Sequence, residues 1–187
     1  MSRFVFHRVP IDGLQIIERQ PLGDERGFLE RVFCQVTINH LLRGKTIRQI
    51  NRTLTQRKGT VRGMHFQYPP YAEAKIVTCL RGQVWDVAVD LRRGSPTFLE
   101  HHVALLTEDN HCSFLIPEGF AHGFQTLTSD CEMLYFHTAD YHSESEGALN
   151  AVDPLLSILW PEPISERSER DEGHPMLAAE FAGLDLP

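Results

Sequence analysis

Gly59 to Asp90 reads GTVRGMHFQYPPYAEAKIVTCLRGQVWDVAVD. Two apolar runs of strand type are joined by a turn at Pro69-Pro70, and a tight Arg81-Gly82 turn leads into a third. Arg62, His65 and Lys75 sit among residues that otherwise read as sheet wall. A charge on an apolar sheet costs free energy unless something pairs with it or binds it. Chemistry is therefore expected in this stretch.

Downstream, strand-type runs recur at 60–67, 75–80, 83–91, 101–106, 112–116, 122–128 and 132–138. Turn clusters such as Arg93-Gly94-Ser95-Pro96 and Pro117-Glu118-Gly119 separate them. Many short, evenly spaced strands without helical patterns between them predict an all-β sandwich or barrel, not a parallel α/β sheet. Within one run Trp85, Val87, Val89 and Leu91 alternate with Val84, Asp86, Ala88 and Asp90, which predicts one packed face and one polar face.

Upstream, residues 3–9 and 13–18 read as strands around a Pro10-to-Gly13 turn, and a polar loop from Gly23 to Gly27 opens onto a strand over 28–33. Val36, Ile38, Leu41 and Leu42 are spaced for a short helix ended by Gly44. Residues 47–54 return to extended patterning, with Gln49, Asn51 and Thr53 on one face. Past Asp153-Pro154, the run ISERSERDEGHP reads as solvated surface, Glu166, Arg167 and Glu169 included. Residues 176–184 are spaced for a short helix after Pro175. With no repeat and no linker, the expectation is a single domain over 1–187.

The composition, 42% hydrophobic and 23% charged, fits a globular protein and excludes disordered, collagenous and membrane classes. A net charge of -7 argues against general nucleic-acid binding while leaving room for a small anion at a local site. Cys34, Cys79, Cys112 and Cys131 form no CxxC pair, and Cys79 and Cys112 lie in apolar runs as buried thiols would. The early polar residues break any signal-peptide core, and no run approaches the length of a membrane helix. A cytoplasmic protein with no membrane partner is expected.

Two patterns extend the opening stretch. G-x5-H-x-Q runs from Gly59 to Gln67, and P-x-G-x-x-H runs from Pro117 to His122. Together they resemble the paired signature of cupin barrels, which implies a double-stranded β-helix, or jelly roll, with a few short peripheral helices. Metal-binding cupins carry H-x-H and a glutamate in the first motif and one more histidine in the second. Here the run is His65-Phe66-Gln67, and an amide is a poor donor to borderline metal ions. Metal-free protein is therefore expected; Glu73 and His122 beside His65 keep a metal-dependent cupin enzyme as the rival.

A closer resemblance covers most of the chain, from Gly23 to about Asp171. RGMHFQ, Lys75, RGxVxDVxVDLR, SPTF, IPEGFAHGF, ExLY, DP and WP are together similar to the dTDP-4-dehydrorhamnose 3,5-epimerase family. The resemblance implies a cofactor-independent isomerase acting on a nucleotide-diphosphate sugar, dTDP-linked in the family. It also implies a homodimer with an N-terminal strand exchanged between subunits. Such chemistry suits the residues: hydrogens flanking a sugar ketone are acidic. Inversion there takes a base on one face, an acid on the other and a cation for the enolate oxygen.

By register with the family, His65 is the base, Asp171 orients its ring, Tyr135 is the acid and Lys75 steadies the enolate. His122 bonds near the sugar, and Arg26 and Arg62 meet the phosphates or sugar. Gln49 and Asn51 contact the nucleotide, Tyr141 is an aromatic near the substrate, and Glu146 and Arg170 lie at the edge of the nucleotide site. Without the register, Asp171 reads as one more surface charge, Tyr135 as core, Lys75 as exposed and His122 as a turn residue. A non-catalytic sugar-nucleotide binding module is the third reading.

Strict alternation sets Arg62 on the face opposite His65, which shares its own face with Val61, Gly63 and Gln67. A bulge at Gly63 would bring Arg62 and His65 to one cavity. Three positions depart from the family pattern: Arg31 in place of a glutamate, Ala151 in place of a tryptophan and His142 in place of a second tyrosine. They leave the sugar, the nucleotide and the number of carbons inverted open.

Overall fold

Alternating apolar side chains build two antiparallel sheets that face each other across an apolar interior, as the computed structural model of residues 3–186 shows. Met1, Ser2 and Pro187 of the 1–187 expectation lie outside the described residues. The strands are β1 (Phe4–Arg8), β2 (Gln15–Arg19), β3 (Leu22–Asp24), β4 (Gly27–Leu29), β5 (Gln49–Thr55), β6 (Val61–Gln67) and β7 (Lys75–Arg81). They continue as β8 (Gln83–Asp90), β9 (His101–Thr107), β10 (Cys112–Ile116), β11 (Phe120–Thr126), β12 (Cys131–His137) and β13 (Glu146–Ala148). Two short helices, α1 (Gln35–Ile38) and α2 (Glu169–Glu172), and one 3₁₀ turn at Ser143–Ser145 complete the elements. One sheet runs β1-β2-β10-β7-β12-β5, the other β13-β6-β11-β8-β9, and β3-β4 is a separate hairpin. The all-β jelly-roll expectation holds, and both early strands pair inside the chain's own sheet.

The packing explains why β8 is apolar on both faces. Val84 and Ala88 point into the space between the sheets with Val77, Phe114, Phe124 and Met133. Val87, Val89 and Leu91 point outward, where residues from 149 to 184 cover the sheet with Leu149, Leu156, Trp160 and Leu184. Asp86 and Asp90 are fully buried, so the expected polar face is instead interior. On the other sheet, Ile17, Ile76, Leu115 and Phe136 are covered by Ile38 and Leu42. Each Leu, Ile or Phe fully withdrawn from water contributes about 1.5–3 kcal/mol.

Local departures have local causes. The helix expected up to Gly44 is only Gln35–Ile38, followed by turns, because its Leu41 and Leu42 serve as cover for the sheet rather than a helical stripe. The strand expected over 28–33 ends at Leu29. Residues 176–184 are not helical; Leu177 and Phe181 pack on the outer cluster, and Leu184 bridges to Arg92. The helix lies instead in the charged run, where Ser168 caps α2 by accepting from the Asp171 N–H (3.1 Å). Arg167 in that run is half-buried and donates to Asn150 Oδ1 (2.8 Å), so it is not simply solvated.

The bulge at Gly63 is present. His122 pairs with His65 and Phe124 with Arg62, so Gly63 and Met64 together oppose Gly123 alone. Val61 consequently faces the outer cluster while Arg62, His65 and Gln67 line one cavity, which corrects the expected grouping of Val61 and Gly63 with His65. Gly63 has φ +133, and a Cβ there would lie 2.5 Å from Gly123 Cα. Gly63→Ala is expected to cost roughly 3 kcal/mol in urea unfolding, from backbone strain plus a clash that neither strand can relieve alone. A loss under half that size would mean the bulge tolerates a side chain.

Candidate active site

Two adjoining cavities, about 280 and 690 Å³, have Arg62 and His65 as a shared wall. The smaller lies between the sheets and is lined by His65, Lys75, His122, Tyr135, Asn51, Tyr141 and Glu146 among others. The larger opens beside it, lined by Arg57, Arg167, Arg170 and Asp171. Because β6 and β11 belong to one sheet and β7 and β12 to the other, His65 and His122 face Lys75 and Tyr135 across the interior.

His65 Nε2 lies 2.7 Å from Asp171 Oδ1, and Asp171 Oδ2 accepts from the Gly63 N–H (3.5 Å). Burial is the largest single influence and works against the Asp171 charge, but the hydrogen bond and charge of His65, with the Gly63 N–H and Ser168, together outweigh it and hold the carboxyl below its ordinary range. With Nε2 donating to a carboxylate, Nδ1 is the nitrogen left with a lone pair. The bonded pair is separated by 106 residues, and α2 is the element that carries the carboxylate in.

On the facing wall Tyr135 is buried at 9% exposure. Burial is the largest influence on its phenol and raises its pKa, exceeding the opposing pull of Thr53 and Arg62. Its ring lies 6.2 Å from that of His122 and 6.1 Å from that of His137. Lys75 is buried and its Nζ lies 3.3 Å from Glu73 Oε1, whose other oxygen is 2.8 Å from His137 Nδ1. Burial opposes the charge on Glu73, yet His137 and Lys75 together lower its pKa. His122 Nε2 sits 2.9 and 3.0 Å from the two oxygens of Asp86. Burial drives both members of that pair toward their neutral forms, raising Asp86 and lowering His122.

The residues expected on the nucleotide side divide. Tyr141 donates its hydroxyl to Glu146 Oε2 (2.7 Å), and Arg170 pairs with the same oxygen. Gln49 does not line either cavity, but its Nε2 donates to Asn51 Oδ1 (3.1 Å) and its Oε1 accepts from the Tyr141 N–H (3.3 Å). Arg26 is not brought in: it stands on the β3-β4 hairpin with its side chain 89% exposed, paired to Asp24 (2.6 Å). Among the departures from the family pattern, Arg31 is exposed, Ala151 is buried under Trp160, and His142 stacks on Tyr71 at 3.9 Å.

The metal-cupin residues do not form one donor set. His65 is taken up by Asp171, His122 by Asp86, and Glu73 by Lys75 and His137. The Lys75 ammonium lines the same cavity, which disfavours a cation there. Gln67 is also spent on the fold: its Nε2 donates to the carbonyls of Tyr71 and Asp140 (3.1 and 3.3 Å) and its Oε1 accepts from the His142 N–H (2.7 Å).

Several residues were missed. Asp86, His137, Arg57 and Arg167 all border the site or its partners, and Glu73 was weighed only as a metal ligand; His174 stands 3.9 Å from Asp171 but lines neither cavity. Asp86 carried a readable signal, since it is a charge flanked by apolar residues on both faces of one strand. The others carried none, because their proximity depends on which loops cover the sheets.

A family model described as dTDP-4-dehydrorhamnose 3,5-epimerase matches residues 8–179. Over 178 residues the chain is 37% identical to dTDP-4-dehydrorhamnose 3,5-epimerase of Sinorhizobium fredii, spanning 95% of this chain and 91% of that protein. The crystal structure of dTDP-6-deoxy-D-glucose-3,5-epimerase RmlC from Legionella pneumophila, in complex with dTDP-4-keto-L-rhamnose, matches with a TM-score of 0.90 at 37% identity. It covers 98% of this chain and 100% of that one. ChmJ, a 3'-monoepimerase from Streptomyces bikiniensis in complex with dTDP-quinovose, matches with a TM-score of 0.83 at 30% identity, covering 91% and 86%.

Proposed function

Since this chain belongs to the dTDP-4-dehydrorhamnose 3,5-epimerase family, we propose that it inverts C3, C5 or both of a dTDP-linked 4-keto-6-deoxy sugar with His65 as base and Tyr135 as acid. It is an isomerase of the epimerase type. The observation that carries the assignment is that His65 and Tyr135 stand on opposite sheets with the cavity between them. A proton removed from one face of a sugar ring and returned to the other inverts the carbon.

His65 Nδ1 takes the proton next to the ketone while Asp171 keeps the ring in the tautomer that leaves this nitrogen free. Negative charge moves to the ketone oxygen, where Lys75, held in place by Glu73, supplies a buried ammonium. Tyr135 then gives its proton to the carbon from the opposite wall. Arg62 and Arg170 in the outer cleft suit a diphosphate, and the exposed Tyr141 ring suits stacking on a base.

Solvent deuterium exchange into a panel of dTDP-4-keto-6-deoxy hexoses tests this reading. Incorporation beside the ketone with inversion is expected; silence at both flanking carbons across the panel overturns it. The same spectra count the carbons inverted, which matters because the relatives include a 3'-monoepimerase. Lys75→Met keeps the stem and removes the charge. The rate of exchange is expected to fall about 10²–10³-fold, and an effect under tenfold would leave the enolate to another donor.

A homodimer is part of the same proposal. Leu22, Phe28 and Leu29 on the β3-β4 hairpin are 51%, 66% and 68% exposed, and β5, an edge strand, turns Ile50 and Leu54 outward. Light scattering giving a monomer at micromolar concentration would remove it. A cytoplasmic location fits four free cysteines. Among the described residues no helix is long and apolar enough to cross a membrane.

A further inference from the structure

We infer that His65, Asp171 and His174 form a site for a zinc-class divalent cation, and that a metal bound there switches the base off. Two imidazoles and a carboxylate are a donor set suited to borderline ions. One ligand atom from each of the three lies within 4.8 Å of the others. Asp171 Oδ1 is the shared point, 2.7 Å from His65 Nε2 and 3.9 Å from His174 Nε2. Metal–ligand bonds of about 2.0–2.2 Å put tetrahedral ligand atoms roughly 3.3 Å apart. The His65–Asp171 separation must open and the Asp171–His174 one close by about half an ångström, and the two imidazole ligand atoms, within 4.8 Å of each other, must draw together, which side-chain rotation supplies.

The frame holding these atoms is fixed. Asp171 sits on α2, capped by Ser168, and His174 follows three residues later, just past the helix end. Asn150 Nδ2 donates to the carbonyls of both Glu172 and His174 (3.4 and 2.8 Å), which pins that segment. His174 Nε2 is buried with no hydrogen-bond partner among the described residues. A buried ring nitrogen left this way needs an explanation, and a lone pair kept for a cation supplies one. Arg170 next to the carboxylate is already neutralised by Glu146. His65 is 35% exposed on the cavity side, where water would complete the coordination. The site shares only His65 with the interior set of His65, Glu73 and His122.

The proton balance explains the silencing. In the metal-free protein Nε2 of His65 carries the hydrogen and Nδ1 carries the lone pair. A metal takes the Nε2 lone pair, so the ring's proton moves to Nδ1 and the imidazole stays neutral. Nδ1 then has no lone pair with which to accept a substrate proton. Binding rests on the three side chains alone, whereas the loss of exchange rests on the epimerase reading.

Full-length protein stripped with EDTA would be titrated with Co²⁺ by visible absorption and with Zn²⁺ by calorimetry, with deuterium exchange followed in parallel. One ion per chain, the d–d bands of tetrahedral cobalt, and exchange that falls in step and returns with EDTA are expected. His174→Gln should keep metal-free exchange, lose the cobalt bands and need at least about tenfold more Zn²⁺ for inhibition. Equal inhibition of native and His174→Gln protein, or no saturable cobalt binding, overturns the site. Should that variant fold poorly, ring ¹⁵N shifts in the native protein decide it: an unmoved His174 Nε2 on adding Zn²⁺ is fatal. Native protein that gains cobalt bands on titration yet shows no exchange before metal is added would count against the epimerase reading alone.

Discussion

His65→Gln is expected to lower deuterium incorporation beside the substrate ketone by about 10³-fold, within the range that a positioned base supplies. Glutamine is chosen because its amide nitrogen reaches the position of Nε2 and can still donate to Asp171, so the carboxylate 2.7 Å away is not left buried and unpaired. The variant therefore removes the lone pair with little damage to the bulged strand. Proton NMR in heavy water, following the signals beside the ketone, reads the rate directly, and unfolding curves report the fold in the same samples. Exchange within tenfold of the native rate would shift the base to another group. His122 is the first alternative, since it pairs across the strands with His65 and lines the same cavity.

Tyr135→Phe separates two events that native protein performs together. In the proposed mechanism proton removal needs His65 and Lys75, neither of which this substitution replaces. Deuterium should still enter the substrate, because His65 reaches solvent and can return a deuteron to the face it took the proton from. Inversion needs a donor on the facing sheet, and its rate should fall about 10²–10⁴-fold. Phenylalanine retains the buried ring, so packing against His122 and His137 is preserved. The readout is the ratio of epimer formed to deuterium incorporated, which a merely structural defect would leave unchanged while both rates dropped. Burial raises the phenol above its ordinary 10.0, so Tyr135 stays protonated through pH 10, and inversion in native protein should show no loss from phenol ionisation there. Equal losses of exchange and inversion in Tyr135→Phe would assign the acid elsewhere.

Much of the barrel was legible because strand patterning is a local property. The runs expected at 112–116, 75–80 and 132–138 fall within a residue or so of β10, β7 and β12, since turns and alternation are set by neighbours in the chain. The interior of β8 was misread for a nonlocal reason. Whether Asp86 faces water depends on whether another layer covers that face, and the covering layers come from residues 149–184 and from the opposite sheet. The helix expected at 176–184 failed in the same way: Leu177 and Phe181 have helical spacing but bury themselves one at a time on the outer cluster.

The site divides along the same line. His65, Lys75, Tyr135 and His122 lie in strands whose order could be read, and family register named them. Sequence by itself determined the alternating strands, the family, the amide that displaces a metal-binding histidine, and the glycine that permits a bulge. Only the tertiary structure decided that Arg26 stays on an exposed hairpin, that Glu73 and His137 flank Lys75, and that Asp171 with His174 meets His65 across 106 residues. The physical reason is range. Strand, turn and bulge depend on sterics within a few residues, whereas a charge pair or a cavity depends on which distant segments pack together.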